Sequence, residues 1–183
     1  MTPAVSRFSP WRRLFSGAAL VSVLLGFSPA RALSAPAEEY EVKAAFIYNF
    51  AKFVDWPASV GSKLRLCVVG KSPFGSALDD IKGRMVKERK LEVLQLDSAS
   101  SLADCQMLFV SASEERNLDR IVARTRATDT LLISDSEGFA RRGIMINLYV
   151  EEGKIRFEIN LSAVRRSGLS VSSKLLSLGR LVE

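Results

Sequence analysis

The chain has 183 residues, with 26 Lys and Arg against 20 Asp and Glu, a formal charge of +6, no histidine and two cysteines. The lack of histidine excludes Ser-His and Cys-His nucleophile pairs within the chain and leaves acid–base chemistry to carboxylates, lysines or tyrosines. Two cysteines alone do not make a metal site, which needs further His, Cys or acidic ligands.

Most of the positive charge sits at the N-terminus. Arg7, Arg12 and Arg13 form a basic start, Leu14 to Phe27 is apolar and uncharged, and Ala30-Arg31-Ala32 puts small residues at the spacing of a cleavage site. The apolar run falls short of the roughly 18–20 residues that span a bilayer, which favours a cleaved export signal over an anchor. Arg12-Arg13 reads as part of an ordinary basic region rather than a twin-arginine signal. Residues 1–32 are thus expected to be a signal peptide cleaved near Ala32, followed by a short leader at 33–39 and one domain at 40–183. Removing four arginines and no acid lowers the formal charge from +6 to +2. Nucleic-acid binding, which needs a concentrated basic footprint on the folded domain, is therefore not expected.

The remaining length of about 150 residues suits one domain with its own core. From Glu38 to Val54 the residues Val42, Phe46, Ile47, Phe50, Phe53 and Val54 recur at helical spacing, and Asp55-Trp56-Pro57 stops the helix. Phe46, Phe50 and Phe53 read as core, whereas Tyr48, Lys52 and Asp55 read as the solvent side. Leu64 to Gly70 is a nearly continuous apolar run ending in glycine, as in a strand covered on both faces. Phe74 to Ile81 reads as a short helix. Met85 to Leu96 contains a strand, clearest at LEVLQL, and Lys82, Arg84, Lys87, Arg89 and Lys90 read as a solvated loop and strand face rather than a phosphate site.

Gln106 to Ser111 is a stronger strand and Ser113 to Arg124 a helix. Ser113 stands at the cap, with Arg116 where a capping-box glutamate would sit. Thr130 to Ser134 is another strand. Gly143 to Val150 and Lys154 to Asn160 are β-rich runs around Glu151-Glu152-Gly153, which predicts an antiparallel hairpin. Asn160 or Ser162 can cap a final helical region, with Leu175, Leu176, Leu178 and Leu181 turned to the domain and Gly168 dividing it. The fold class expected is α/β, a single three-layer domain of flavodoxin/Rossmann-like type: a mainly parallel sheet flanked by helices, with a C-terminal antiparallel hairpin.

Cys67 and Cys105 suggest one disulfide in an oxidising compartment, two buried thiols being the alternative. If they are bridged, their Cα atoms must come within roughly 7 Å, which is easiest when the first and third strands are neighbours. A flavodoxin-like order provides that and a 3-2-1-4 order does not.

Three arrangements invite a catalytic or ligand reading. Gly70-Lys71-Ser72 follows a strand, but Arg65 stands where a phosphate loop needs its first glycine, and Pro73 lacks an amide donor. Asp79 and Asp80 are adjacent and diverge on a helix, so they read as solvated. Asp135 and Glu137 follow a strand's carboxyl end, where open α/β sheets bind ligands, although a turn and helix start is the favoured reading. No catalytic residue, cofactor or metal is expected.

The segments EYEVKAAFIYNFAKFVDWP, SPFG, ADCQMLFVS, ISDSEGFARRGIMINLYVEEGKIRFEIN and GLSVSSKLLSLGRLV, in this order from Tyr40 to Val182, resemble the YfiR-like family of exported bacterial proteins. The resemblance implies a periplasmic, non-enzymatic regulator. In the family, a member represses an inner-membrane diguanylate cyclase by contacting its periplasmic sensor domain, which lowers cyclic di-GMP and disfavours biofilm growth. An outer-membrane lipoprotein relieves that repression. Cys67 and Cys105 match a pair bridged in that family; a second family bridge has no cysteines here. The resemblance also allows a homodimer. Arg165 and Arg166 are candidates for an acidic partner or a small anion, against a solvated helix turn. A small-ligand-binding component of another sensor system is the alternative function.

Overall fold

The computed structural model describes residues 36–96, 102, 104–126 and 128–183, all within one compact unit, Leu33–Glu183. The signal-peptide reading lies outside the described residues. The first helix, α1, spans Pro36–Lys52. Proline tolerates the first helical turn because its missing N–H would be unpaired there, and Glu38, Glu39 and Lys52 complement the helix dipole. The expected leader is thus helical from Pro36 onward. Beyond the end of α1, Trp56 Nε1 donates to the Ala51 carbonyl at 2.8 Å, satisfying an acceptor that the helix end leaves open. The buried stripe of α1 is Lys43, Ala44, Ile47, Phe50 and Ala51, while Val42, expected inside, is exposed. Small alanines let this stripe approach the sheet closely.

The strands are β1 (Val54–Asp55), β2 (Lys63–Val69), β3 (Met85–Val86), β4 (Arg89–Leu96), β5 (Met107–Val110) and β6 (Leu131–Ser134). They continue as β7 (Ile146–Glu151), β8 (Lys154–Asn160), β9 (Ser170–Val171) and β10 (Arg180–Val182). The further helices are α2 (Leu118–Thr125), α3 (Leu161–Ser167) and α4 (Ser173–Leu176). Among the described residues the main sheet has eight strands in the order β10-β8-β7-β6-β5-β2-β4-β3, and β1 pairs with β9 separately. Pairing is parallel except at β7–β8 and β3–β4. The successive parallel strands β2, β4, β5, β6 and β7 therefore stand in the flavodoxin-like order 2-1-3-4-5.

Side-chain alternation assigns the two faces. Leu132 and Met145 meet Val122 of α2 and Ala163 of α3 around a 20 Å³ cavity, so those helices share one face. The opposite face carries Phe109, edge-on to Phe74, and Phe157, edge-on to Phe50 of α1. The result is the expected three-layer domain.

Three local expectations fail for identifiable reasons. Phe74 to Ile81 forms turns, not a helix, because Gly75 takes φ +53° and interrupts the run, although Phe74, Ala77, Leu78 and Ile81 are buried at helical spacing. Ser113 caps nothing: a 3₁₀ turn over Ala112–Asn117 precedes α2, and the Ser113 hydroxyl instead accepts from the Lys71 N–H at 2.8 Å. The region after Gly168 is β9, α4 and β10 rather than one helix, and Leu178 and Leu181 are 63% and 50% exposed. The hairpin turn and the helix cap expected in this stretch are present. Glu152 and Gly153, at φ +50° and +73°, form a two-residue hairpin turn between β7 and β8. Asn160 is the cap of α3, its Oδ1 accepting from the Ala163 N–H at 2.7 Å.

Candidate functional site

The turn after β2 is closed on itself. A Cβ on Gly70, at φ +86°, would lie 2.5 Å from Ser113 Oγ, and that same hydroxyl accepts from the Lys71 amide. The donor that a phosphate loop would offer is already used.

Asp135, directly after β6, is the focus of a partly buried polar cluster. Its Oδ2 accepts from Tyr40 Oη at 2.9 Å and Lys43 Nζ at 2.7 Å, and Lys43 also pairs with Glu39 Oε1 at 2.6 Å. Lys43 is only 4% exposed, so an unpaired ammonium there would be costly. Desolvation pulls its pKa down, but the hydrogen bonds it donates to Asp135 and Glu39 outweigh it and hold the group above its ordinary value. Burial, then the Asp135 charge and hydrogen bond, push the Tyr40 phenol up. The Tyr40 ring meets Phe74 edge-on at 5.3 Å, tying this cluster to the aromatic core.

A cleft of 380 Å³ opens beside the cluster, between α1, the turn at 135–138 and the β7–β8 hairpin. Glu39, Lys43, Asp135, Glu137, Asn147, Tyr149, Glu158 and Arg180 line it. Arg180 closes one side: Nη2 donates to Glu158 Oε2 at 2.7 Å, and the guanidinium lies 4.5 Å above the Tyr149 ring. The hydrogen bond to Glu158 raises the Arg180 pKa further.

Tyr149 and Arg180 also border a second concavity, an open groove of 530 Å³ lined by Phe46, Ile155, Phe157, Leu178 and Gly179. Gly179 is required there because a Cβ would stand 2.6 Å from the Phe157 ring. The groove is thus floored by aromatic side chains and edged by exposed Leu178 and by Arg156, Glu151 and Arg180.

The residues singled out in the sequence fall in separate places. Cys67 in β2 and Cys105 just before β5 form a disulfide with Cα atoms 5.8 Å apart, both buried. Phe50 is core, and Phe46 and Phe53 are partly buried against it. Lys52 and Asp55 are exposed, whereas Tyr48 is half-buried and donates to the Met85 carbonyl at 2.8 Å. In the basic stretch, Lys87 pairs with Asp55 at 2.9 Å and Arg89 donates to the Pro57 carbonyl, so those two serve local structure. Asp79 and Asp80 are exposed. Arg165 and Arg166 are exposed in the last turn of α3; Arg166 borders the 20 Å³ cavity with Arg126, and neither lines the cleft or the groove. Among the described residues no three His, Cys, Asp or Glu side chains group as metal ligands.

Sequence reasoning pointed to Asp135 by its position after a strand but missed its partners. Lys43 looks like any solvent-side lysine, and only the docking of α1 over β6 reveals its role. The groove was missed because its walls come from α1, β8 and the segment read as a terminal helix.

Fold and site together define a single α/β domain with a polar cleft at the carboxyl edge of the sheet and an apolar groove beside it. A solved structure from Vibrio cholerae O1 biovar El Tor, described as a conserved domain protein, shares the fold at 12% identity and a TM-score of 0.51, over 79% of this chain and 60% of that one. The YfiR/HmsC-like family model matches residues 40–180, and the chain belongs to that family. Membership supports a periplasmic regulator of diguanylate cyclase signalling. Among the described residues no helix is long and apolar enough to cross a membrane.

Proposed function

We propose that this protein is exported, loses residues 1–32 near Ala32, and represses an inner-membrane diguanylate cyclase by docking on its periplasmic sensor domain. The observation that carries the reading is the groove of Phe46, Ile155, Phe157 and Leu178 beside the C-terminal strand. A contiguous apolar recess with a charged rim is the anatomy of a protein-docking surface, with Leu178 as an anchor and Arg156 and Arg180 setting orientation. An outer-membrane lipoprotein that competes for the same face would relieve repression, as would its occlusion in a homodimer. Arg165 and Arg166, on α3, are then a peripheral contact for an acidic partner.

The test is co-purification with the periplasmic domain of the cognate cyclase, together with cellular cyclic di-GMP. Leu178→Glu should abolish capture and raise cyclic di-GMP to the level of the deletion strain. Capture unaffected by this change would move the interface elsewhere; no capture by the native protein, with unchanged cyclic di-GMP on deletion, would end the repression reading.

A further inference from the structure

Four buried side-chain polar atoms lack a hydrogen-bond partner among the described residues: Arg89 Nε, Ser111 Oγ, Ser136 Oγ and Asn147 Oδ1. Three of them stand at or near the carboxyl ends of neighbouring strands, and of these Asn147 lines the cleft. Ser111 directly follows β5, Ser136 stands two residues beyond β6, and Asn147 is the register partner of Ser134, the last residue of β6. Ligands of open parallel sheets bind at this carboxyl edge. Buried polar atoms are normally paired, so the open acceptor of Asn147 is a place for a donor.

Asn147 specifies what kind of partner. It is 2% exposed and lines the 380 Å³ cleft. Its Nδ2 donates to Glu158 Oε1 at 3.3 Å, which fixes the amide orientation and leaves Oδ1 as the open acceptor. The partner must therefore donate. Charge agrees: Glu39, Asp135, Glu137 and Glu158 face only Lys43 and Arg180, and both cations are already held by carboxylates within the cleft. Four carboxylates against two cations make the cleft unfavourable for an anionic ligand. A metal is disfavoured as well, since no three candidate ligands are grouped among the described residues. The volume lies in the range of small-molecule sites.

We propose that the cleft between α1, the turn at 135–138 and the β7–β8 hairpin binds a small organic ammonium compound, with its N–H donors directed at Asn147 Oδ1 and the Glu158 carboxylate. An incoming ammonium competes with Arg180 for Glu158. The Arg180 side chain is 55% exposed and borders the groove as well, so its release carries ligand occupancy to that surface. This coupling rests on the docking role of the groove; the ligand site does not.

Titration calorimetry on the purified protein tests the site, with putrescine as the probe and 1,4-butanediol and succinate as its neutral and anionic counterparts. Saturable binding of putrescine alone is expected, weakened about tenfold in Asn147→Leu, which removes a buried acceptor for a charged donor. Glu137→Gln at the exposed rim should weaken it about threefold and leaves no doubt about folding. Absence of saturable putrescine binding, equal binding of butanediol, preference for succinate, or unchanged affinity in both variants would overturn the proposal. Capture of the cyclase sensor domain by the same preparation without putrescine reports separately on the regulatory reading.

Discussion

The centre of the sheet and its C-terminal edge are built on opposite terms. In β2, β5 and β6, every residue from Leu66 to Val69, Met107 to Val110 and Leu131 to Ser134 is buried, and a disulfide joins β2 to the approach of β5. At the edge, β10 holds three residues, and Leu178 and Leu181 beside and within it stay exposed. Burial and covalent closure are thus concentrated at the centre, while apolar surface is left uncovered at the border. The contrast separates scaffold from recognition surface within one small domain, as expected when contact residues sit on a rigid support.

The largest effect that can break this contrast lies at the centre. Replacing Cys67 and Cys105 by serine frees a loop with a sequence separation of 38. The entropy returned to the unfolded chain should lower stability by about 3 to 4 kcal/mol, and burying two hydroxyls adds to the loss. Thermal unfolding of the double variant against the oxidised native protein measures it. An unchanged midpoint would mean that the bridge merely decorates an already sufficient core.

A smaller loss is expected where the centre meets the cleft. Asp135→Ala leaves Lys43 buried with Glu39 as its remaining carboxylate, and should cost about 2 kcal/mol, below the range for stripping a buried charge of its only partner. The sign of the pH dependence follows from the same cluster. Lys43 and Tyr40 both have folded-state pKa values raised above their ordinary 10.5 and 10.0. A folded state that holds protons more tightly than the unfolded one is fully favoured below those values and loses that advantage as pH rises through the raised ones. Denaturant midpoints should therefore fall above about pH 10 in the native protein, and fall less steeply in Asp135→Ala. Equal slopes would show that the cluster does not govern alkaline stability.

The same contrast explains what could be read from the residues alone. The centre was legible because burial on both faces leaves uninterrupted runs such as LCVV and MLFV, and because a bridge between the two cysteines is easiest when the first and third strands are neighbours. The hairpin was legible from Glu152-Gly153, whose chemistry matches one turn type. The edge was not. Leucines at helical spacing from Leu169 to Leu181 carry the same pattern whether they face a core or a groove, and Ser172 and Gly179 break the segment into pieces too short for periodicity to resolve. Phe74 to Ile81 misled similarly, since its burial is helical while a single positive φ at Gly75 redirects the backbone. Lys43 was invisible as a buried charge because its partner Asp135 lies 92 residues away.

The smallest expected change in stability is the most informative about the edge. Leu178 is 63% exposed, so Leu178→Glu removes little buried surface and should shift stability by no more than about 0.5 kcal/mol. An added carboxylate also enters a rim where Arg156 and Arg180 outnumber Glu151, which offsets like-charge repulsion. Any loss of cyclase capture in this variant would then come from the surface itself, since a stable fold has been left in place. Chemical denaturation and sensor-domain binding, measured on one preparation, separate the two contributions. A destabilisation as large as that of the disulfide variant would place Leu178 in the scaffold and erase the division between centre and edge; unchanged stability with lost capture would make it an anchor, in the way that a few groove residues carry most of the energy of an interface.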